Sequence, residues 1–256
     1  MADITRSRIL AGGHNIYGHR IGILVIEGHF PRPPGAIGNG ATFPFPVLHH
    51  VVAGFSGSRT VFELAQSDPD SPEFTQAIEP WLDGGRALQA QGCRAVTTSC
   101  GFAALFQRHL CEALDVPVFA SSLLLVPMLA RMLKPAQRVG IVTADAGSLR
   151  PTLLEAAGIT TPVVISGMGE CPEFAATAWQ DRPSLDFDAA EKEAVDVARR
   201  MVEDHPEIGI ILLECSLLPP YAAAIQAATQ RPVFDFTHLV AMAHDACARQ
   251  KFGGIT

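Results

Sequence analysis

Charge is scarce in this sequence, and what there is leans acidic. Asp, Glu, Lys and Arg make up 18% of the 256 residues, and the formal net charge is −7. Without a basic excess there is no field to hold a polyanionic backbone, which excludes nucleic acid as a partner. Aromatic residues are also few, at 7%, whereas hydrophobic residues reach 48% and the 22 Gly and 19 Pro are dispersed. That balance rules out disorder, collagen and coiled coil, and leaves a globule with a core to bury. Long apolar runs are missing. The two longest, Val116 to Ala130 and Ile208 to Ala228, are interrupted by Pro117 and Pro127 and by Glu214, Pro219 and Pro220. Neither reads as a membrane span. The first 20 residues carry a charge or a glycine every few positions instead of an apolar leader core, so a cytoplasmic protein is expected. Metal-ligand spacings are absent too, because the cysteines at 93, 100, 111, 171, 215 and 247 form no CxxC pair and the nine histidines no HExxH motif. No metal and no cofactor are expected.

What the sequence does have is alternation. Short β-rich runs, RIGILVI (20–26), RAVTTS (94–99), PVFA (117–120), RVGIVTA (138–144), PVVIS (162–166), IGIILLE (208–214) and PVF (232–234), are separated by longer stretches. Those at 73–90, 101–114, 121–133, 186–203, 217–229 and 237–249 carry apolar residues at helical spacing with polar residues opposite. The pattern predicts an α/β fold of parallel sheet and covering helices. It also repeats. Cys100 follows one strand and Cys215 another, and PVF begins 17 residues after each; upstream, RIGIL (20–24) matches RVGIV (138–142). Two pseudo-symmetric α/β lobes follow: residues 20–120 with 232–256, then residues 121–231, with 1–19 as an N-terminal extension.

Ligands of open α/β sheets sit at the carboxyl ends of strands, where both cysteines lie, so the two thiols are expected to meet across one interlobe cleft. A thiol that begins a helix is expected to have a lowered pKa and so to supply a base. One thiolate and one thiol on opposite faces of a carbon acid would invert a stereocentre without metal or redox cofactor. The amides of Gly101, Phe102, Ser216 and Leu217, with Ser99 beside the first cysteine, are candidates to bind the substrate carboxylate. The turn-rich segment 28–46 is a candidate substrate loop. Glu214, next to Cys215, either tunes the thiol or ends the strand toward solvent, and the charged stretch 186–205 reads as a solvated helix face.

At these motifs the chain resembles the aspartate/glutamate/hydantoin racemase superfamily. TTSCGF and LLECSLLPPYA are similar to its two cysteine motifs, and VGIVTADAGSL to the segment that opens its second lobe. The resemblance implies a PLP-independent isomerase with Cys100 and Cys215 as catalytic acid and base, Thr143 on the substrate carboxylate, and a homodimeric or higher assembly. This chain has Gly101-Phe102 where glutamate and aspartate racemases have Asn-Thr, and Ser216-Leu217 where glutamate racemases have Thr-His. A prolyl loop, Pro31 to Asn39, stands in place of the family's Asp-Ser-Gly turn and offers Arg32 and Asn39 as polar candidates. The implied activity is racemisation or epimerisation of an amino acid or related small carboxylate. Hydantoin racemisation and maleate-type isomerisation through a cysteine nucleophile are the enzymatic alternatives, and a ligand-binding module is the non-enzymatic one.

Overall fold

A computed structural model describes residues 12–250 of the chain. Among them, eight strands form two all-parallel four-stranded sheets. The first contains β1 (Ile21–Ile26), β2 (Val47–Val52), β3 (Ala95–Thr98) and β4 (Val118–Phe119) in the order β2-β1-β3-β4. The second contains β5 (Arg138–Thr143), β6 (Val163–Gly167), β7 (Ile208–Leu213) and β8 (Val233–Phe234) in the order β6-β5-β7-β8. Each sheet therefore has the same order, and the internal repeat of the sequence is a repeat of architecture. β1 is buried at all six positions, as a parallel strand covered on both faces must be.

Helices cover the sheets. α1 (Pro72–Ala90) starts on a Ser71 side chain that accepts from the Phe74 amide, with Pro72 at its first position. α6 (Phe187–Asp204) starts in the same way on Asp186 and turns Ala190, Ala194, Val197, Ala198 and Met201 inward, leaving its charged residues outside as expected. The matched glycines explain the conserved spacing within the chain. A Cβ on Gly22 would meet Leu88 of α1 at 3.0 Å, and one on Gly140 would meet Met201 of α6 at 2.8 Å, so each glycine lets the covering helix close on its sheet.

The lobes exchange a segment. The helical stretch after β4, a 3-10 turn (Ser122–Leu125) leading into α3 (Val126–Ala130), packs on the second sheet, and Ser122 Oγ donates to the Leu213 carbonyl at 3.1 Å. After β8 the chain returns, and α8 (Phe236–Cys247) packs on β1, β3 and β4. The stretch 232–256 thus divides: β8 extends the ladder of β7 and belongs to the second sheet, and only α8 rejoins the first. Residues 251–256 and the first 11 residues of the expected N-terminal extension lie outside the described residues.

Several elements carry too little periodicity to be predicted. β2 is an edge strand and mostly half-buried, while α4 (Pro151–Ala156) and α5 (Pro172–Ala178) are short. The stretch expected as one helix from 101 to 114 begins as a fully buried 3-10 turn, Gly101–Phe106, before α2 (Gln107–Ala113). Its opening turn lies between the lobes, so it has no solvent face to encode. The next cysteine segment likewise passes through a 3-10 turn, Pro219–Tyr221, into α7 (Ala222–Thr229).

Candidate active site

The two cysteines are held by matching backbone bonds. Beyond β3, the Ser99 amide donates to the Leu24 carbonyl at 2.8 Å; beyond β7, the Glu214 amide donates to the Val142 carbonyl at 2.8 Å. The Cys100 carbonyl accepts from Ala103 and the Cys215 carbonyl from Leu218, each at 3.0 Å. The lobes then touch, with Ser216 Oγ donating to the Ser99 carbonyl at 2.5 Å. Both thiols line a single cavity with Ser99, Gly101, Phe102, Glu214, Ser216 and Leu217, so the cysteines and five of the other expected residues converge.

Three expected residues do not reach its wall. Thr143 is buried behind it and donates its hydroxyl to Glu214 Oε2 at 2.7 Å, so its polar group serves another side chain. Arg32 donates to the Gly28 and Ile26 carbonyls and lies over the Phe30 ring, while Asn39 caps its own loop by accepting from the Ala41 amide and donating to the Arg32 carbonyl. Arg32 and Asn39 thereby shape the loop, and the loop's contribution to the wall is Phe30. The wall is otherwise apolar, with Ile26, Val61, Ala144, Ala178 and Trp179. Phe30 and Trp179 come from loops with no motif, and only tertiary folding brings them to the cysteines.

Desolvation dominates the electrostatics. Burial, and then the charge of Glu214, push the Cys100 thiol up to about 12 against the opposing amides of Phe102 and Ala103. Cys215 is raised well above the ordinary thiol value by burial and by Glu214, against a single amide from Leu217. The expectation of lowered thiol pKa values is therefore reversed, because an apolar cleft penalises the thiolate more than a few amides favour it. Glu214 is fully buried rather than turned to solvent, and burial lifts its carboxyl to about 7 against the bonds from Thr143 and Ala144. No Lys, Arg, His or Asp lines the cavity, and among the described residues no group of three or more His, Cys, Asp and Glu side chains is arranged to hold a metal ion.

The sequence profile of the Asp/Glu/Hydantoin racemase family matches residues 47–243. The chain belongs to that family. It is 32% identical to a dimethylsulfoniopropionate lyase of Durusdinium sp. clade D over 86% of this chain and 72% of that protein. It is also 32% identical to dimethylsulfoniopropionate lyase 3 of Emiliania huxleyi (strain CCMP1516), over 84% of this chain and 56% of that protein, so it spans little more than half the length of that relative. The fold matches a solved glycine-to-cysteine variant of arylmalonate decarboxylase in a sulfate-associated form, with a TM-score of 0.58, 20% identity, and coverage of 91% of this chain and 96% of that one. This is an enzyme family: its model is named for racemases, and the curated proteins similar to this chain are named as lyases. No helix among the described residues is long and apolar enough to cross a membrane.

A surface latch ties down the loop that carries Phe30. Asp181, in the left-handed region at φ 51°, accepts from the His29 and Phe30 amides at 2.6 and 3.1 Å and pairs with His29 Nδ1 at 2.8 Å. The bonds hold Phe30 on the wall beside Ala178 and Trp179. Removing them through Asp181→Ala costs about 1–2 kcal/mol of loop closure, which is about a 5- to 30-fold shift toward the open loop. The expected result is faster hydrogen exchange at the His29 and Phe30 amides with unchanged exchange in β1 and β5. Unchanged exchange at His29 and Phe30 would mean that the latch does not hold the loop.

Proposed function

We propose that the protein is a cofactor-independent enzyme that removes the α-proton of a small carboxylate bound between Cys100 and Cys215, and that its reaction is β-elimination from an onium substrate of the dimethylsulfoniopropionate type. The observation that carries the reading is the convergence of two equivalent thiols on one dry cavity. In such a substrate the thiolate takes the proton from the carbon next to the carboxylate. The electron pair left behind forms the new C=C bond as the C–S bond breaks. Its electrons leave with sulfur, giving dimethyl sulfide and acrylate, and the proton passes from thiol to solvent. The charge therefore balances without an oxidant or a second substrate.

The wall supports this leaving group. A dialkylsulfonium has a positive charge but no N–H donors, and Phe30, Phe102 and Trp179 offer ring faces and apolar contact to its methyl groups. An α-ammonium group would bring three donors into a cavity where Glu214 and two serine hydroxyls are the only polar side chains on the wall. The relatives named as dimethylsulfoniopropionate lyases agree with that preference.

The matched position of the two cysteines favours a second reading, racemisation or epimerisation, which shares the first step and returns a proton from the opposite thiol. One experiment separates the two. The protein is incubated in D2O with dimethylsulfoniopropionate and, in parallel, with amino acids and 5-substituted hydantoins, and followed by NMR. Acrylate and dimethyl sulfide are expected from the first. Inversion with α-deuteration of an amino acid or hydantoin, and no acrylate, would make the protein a racemase instead.

A further inference from the structure

The pseudo-symmetry of the lobes exposes one atom that the fold does not need. Ser99 and Glu214 occupy equivalent positions before the two cysteines. Ser99 Oγ accepts from the Ile26 amide at the end of β1, and Glu214 Oε2 accepts from the Ala144 amide just past β5, at 3.0 and 3.3 Å. A serine hydroxyl thus meets the structural requirement in one lobe. The carboxyl meets it in the other with Oε2 alone and leaves Oε1 over. That oxygen is buried and has no hydrogen-bond partner, belongs to a residue of the cavity wall, and is packed so close to Gly101 that a Cβ there would collide with it. An orphaned buried oxygen is costly unless something arrives to satisfy it.

We infer that Glu214 acts as a neutral acid, donating a hydrogen bond from Oε1–H to the carboxylate of the substrate and holding it more strongly as that carboxylate becomes an enediolate. The inference rests on the reading that a carboxylate enters between the thiols, and it is indifferent to whether elimination or inversion follows. Oε2 already accepts from Thr143 Oγ1 and from the Ala144 amide, so the proton belongs on Oε1. The wall carries no cationic side chain to neutralise an incoming anion, and an ionised Glu214 would repel it. The titratable groups facing Glu214 are the two thiols, and its negative charge raises both. Neutral Glu214 therefore removes a repulsion from the incoming anion. Burial favours that neutral form, since it lifts the carboxyl to about 7. An apolar site that keeps a carboxylic acid protonated so that it can donate is a known way to stabilise an enolate.

The test uses an inert probe, 4-methylpentanoate, which has the shape of dimethylsulfoniopropionate with carbon in place of sulfur and cannot eliminate. Binding is measured by calorimetry at pH 8 in two buffers of different ionisation enthalpy. At that pH, above the value to which burial lifts the carboxyl, free Glu214 is expected to be largely ionised, so wild type should take up a proton as the probe binds. In Glu214→Gln the amide oxygen accepts from Thr143 and Ala144 and the nitrogen donates into the cleft. This variant should bind within about threefold of wild type, in the range of one altered hydrogen bond, without proton uptake. Glu214→Ser keeps the bond that Ser99 makes in the other lobe but loses the donor. It should turn substrate over about 10²-fold more slowly. Wild-type binding with no proton uptake or with proton release, or a Gln variant as impaired as the Ser variant, would overturn the inference. Should the variants not fold, infrared difference spectra of wild type decide: a carboxylic C=O band present at pH 6, lost at pH 9 and restored by the probe is expected, and its absence refutes the proposal. Because the probe does not react, the binding and infrared outcomes stand apart from the success or failure of the elimination assay.

Discussion

Cys100→Ser should lower kcat/KM for elimination by about 10³-fold or more, while Cys215→Ser should lower it by only about tenfold. General-base catalysis contributes about 10²–10⁴-fold, and a serine hydroxyl in a dry cleft cannot ionise to replace a thiolate. Elimination needs one base, and Cys100 is assigned that role on its hydrogen bonds: the amides of Phe102 and Ala103 oppose the desolvation of its thiolate, where Cys215 receives one amide from Leu217. Cys215 closes the opposite face of the α-carbon and has no proton to deliver when sulfur leaves with its electron pair. Inversion makes a different demand, because both thiols handle a proton in every turnover. Equal and near-complete loss in both variants would favour the racemase reading, and a deeper loss at Cys215 would reverse the assignment of the base. Acrylate formation by each purified variant, with circular dichroism to confirm folding, provides the measurement.

Gly101→Ala is expected to be among the most destabilising single-methyl additions in the chain. The new Cβ would collide with Glu214 Oε1 and Cδ and lie 2.6 Å from the Glu214 backbone carbonyl. No flexible end can swing away. Glu214 is tied at Oε2 to Thr143 and Ala144 and at its amide to Val142, and Gly101 begins a fully buried turn. Overpacking of a rigid site costs about 1–3 kcal/mol and occasionally more; the contact with backbone here puts the expected loss at about 3 kcal/mol, read as a lower urea midpoint with an unchanged slope. Activity should fall further than stability, because relief of the clash requires the lobes to part where the thiols oppose each other. A Gly101→Ala protein with wild-type midpoint and activity would mean that the interlobe contact is looser than that distance.

The Gly101-Phe102 pair after the first cysteine therefore has a spatial reason. Gly101 makes room for Glu214, and Phe102 is buried and turned to the cavity wall. Glu214 itself stood out in the sequence as an acid beside a cysteine, yet its neighbours could not indicate whether it faced solvent. Thr143 shows the converse. Its motif is similar to a carboxylate-binding segment, but its hydroxyl is occupied by a side chain 71 residues away in sequence.

Local pattern was sufficient wherever a property repeats along the chain. Apolar runs marked seven of the eight strands, and the matched glycine, cysteine and PVF positions marked two lobes with the same strand order. They also marked the two thiols that share a cavity. These features follow from periodicity and spacing, which short-range sterics and burial impose within each lobe. Other properties depended on where separate segments meet. The attachment of β8 to the second sheet, the contribution of Phe30 and Trp179 to the cavity wall, and the spare oxygen of Glu214 are set by contacts between distant elements. The direction of the thiol shifts belongs with them, because desolvation is the sum of every group that excludes water from a site, and no single segment of the sequence contains that sum.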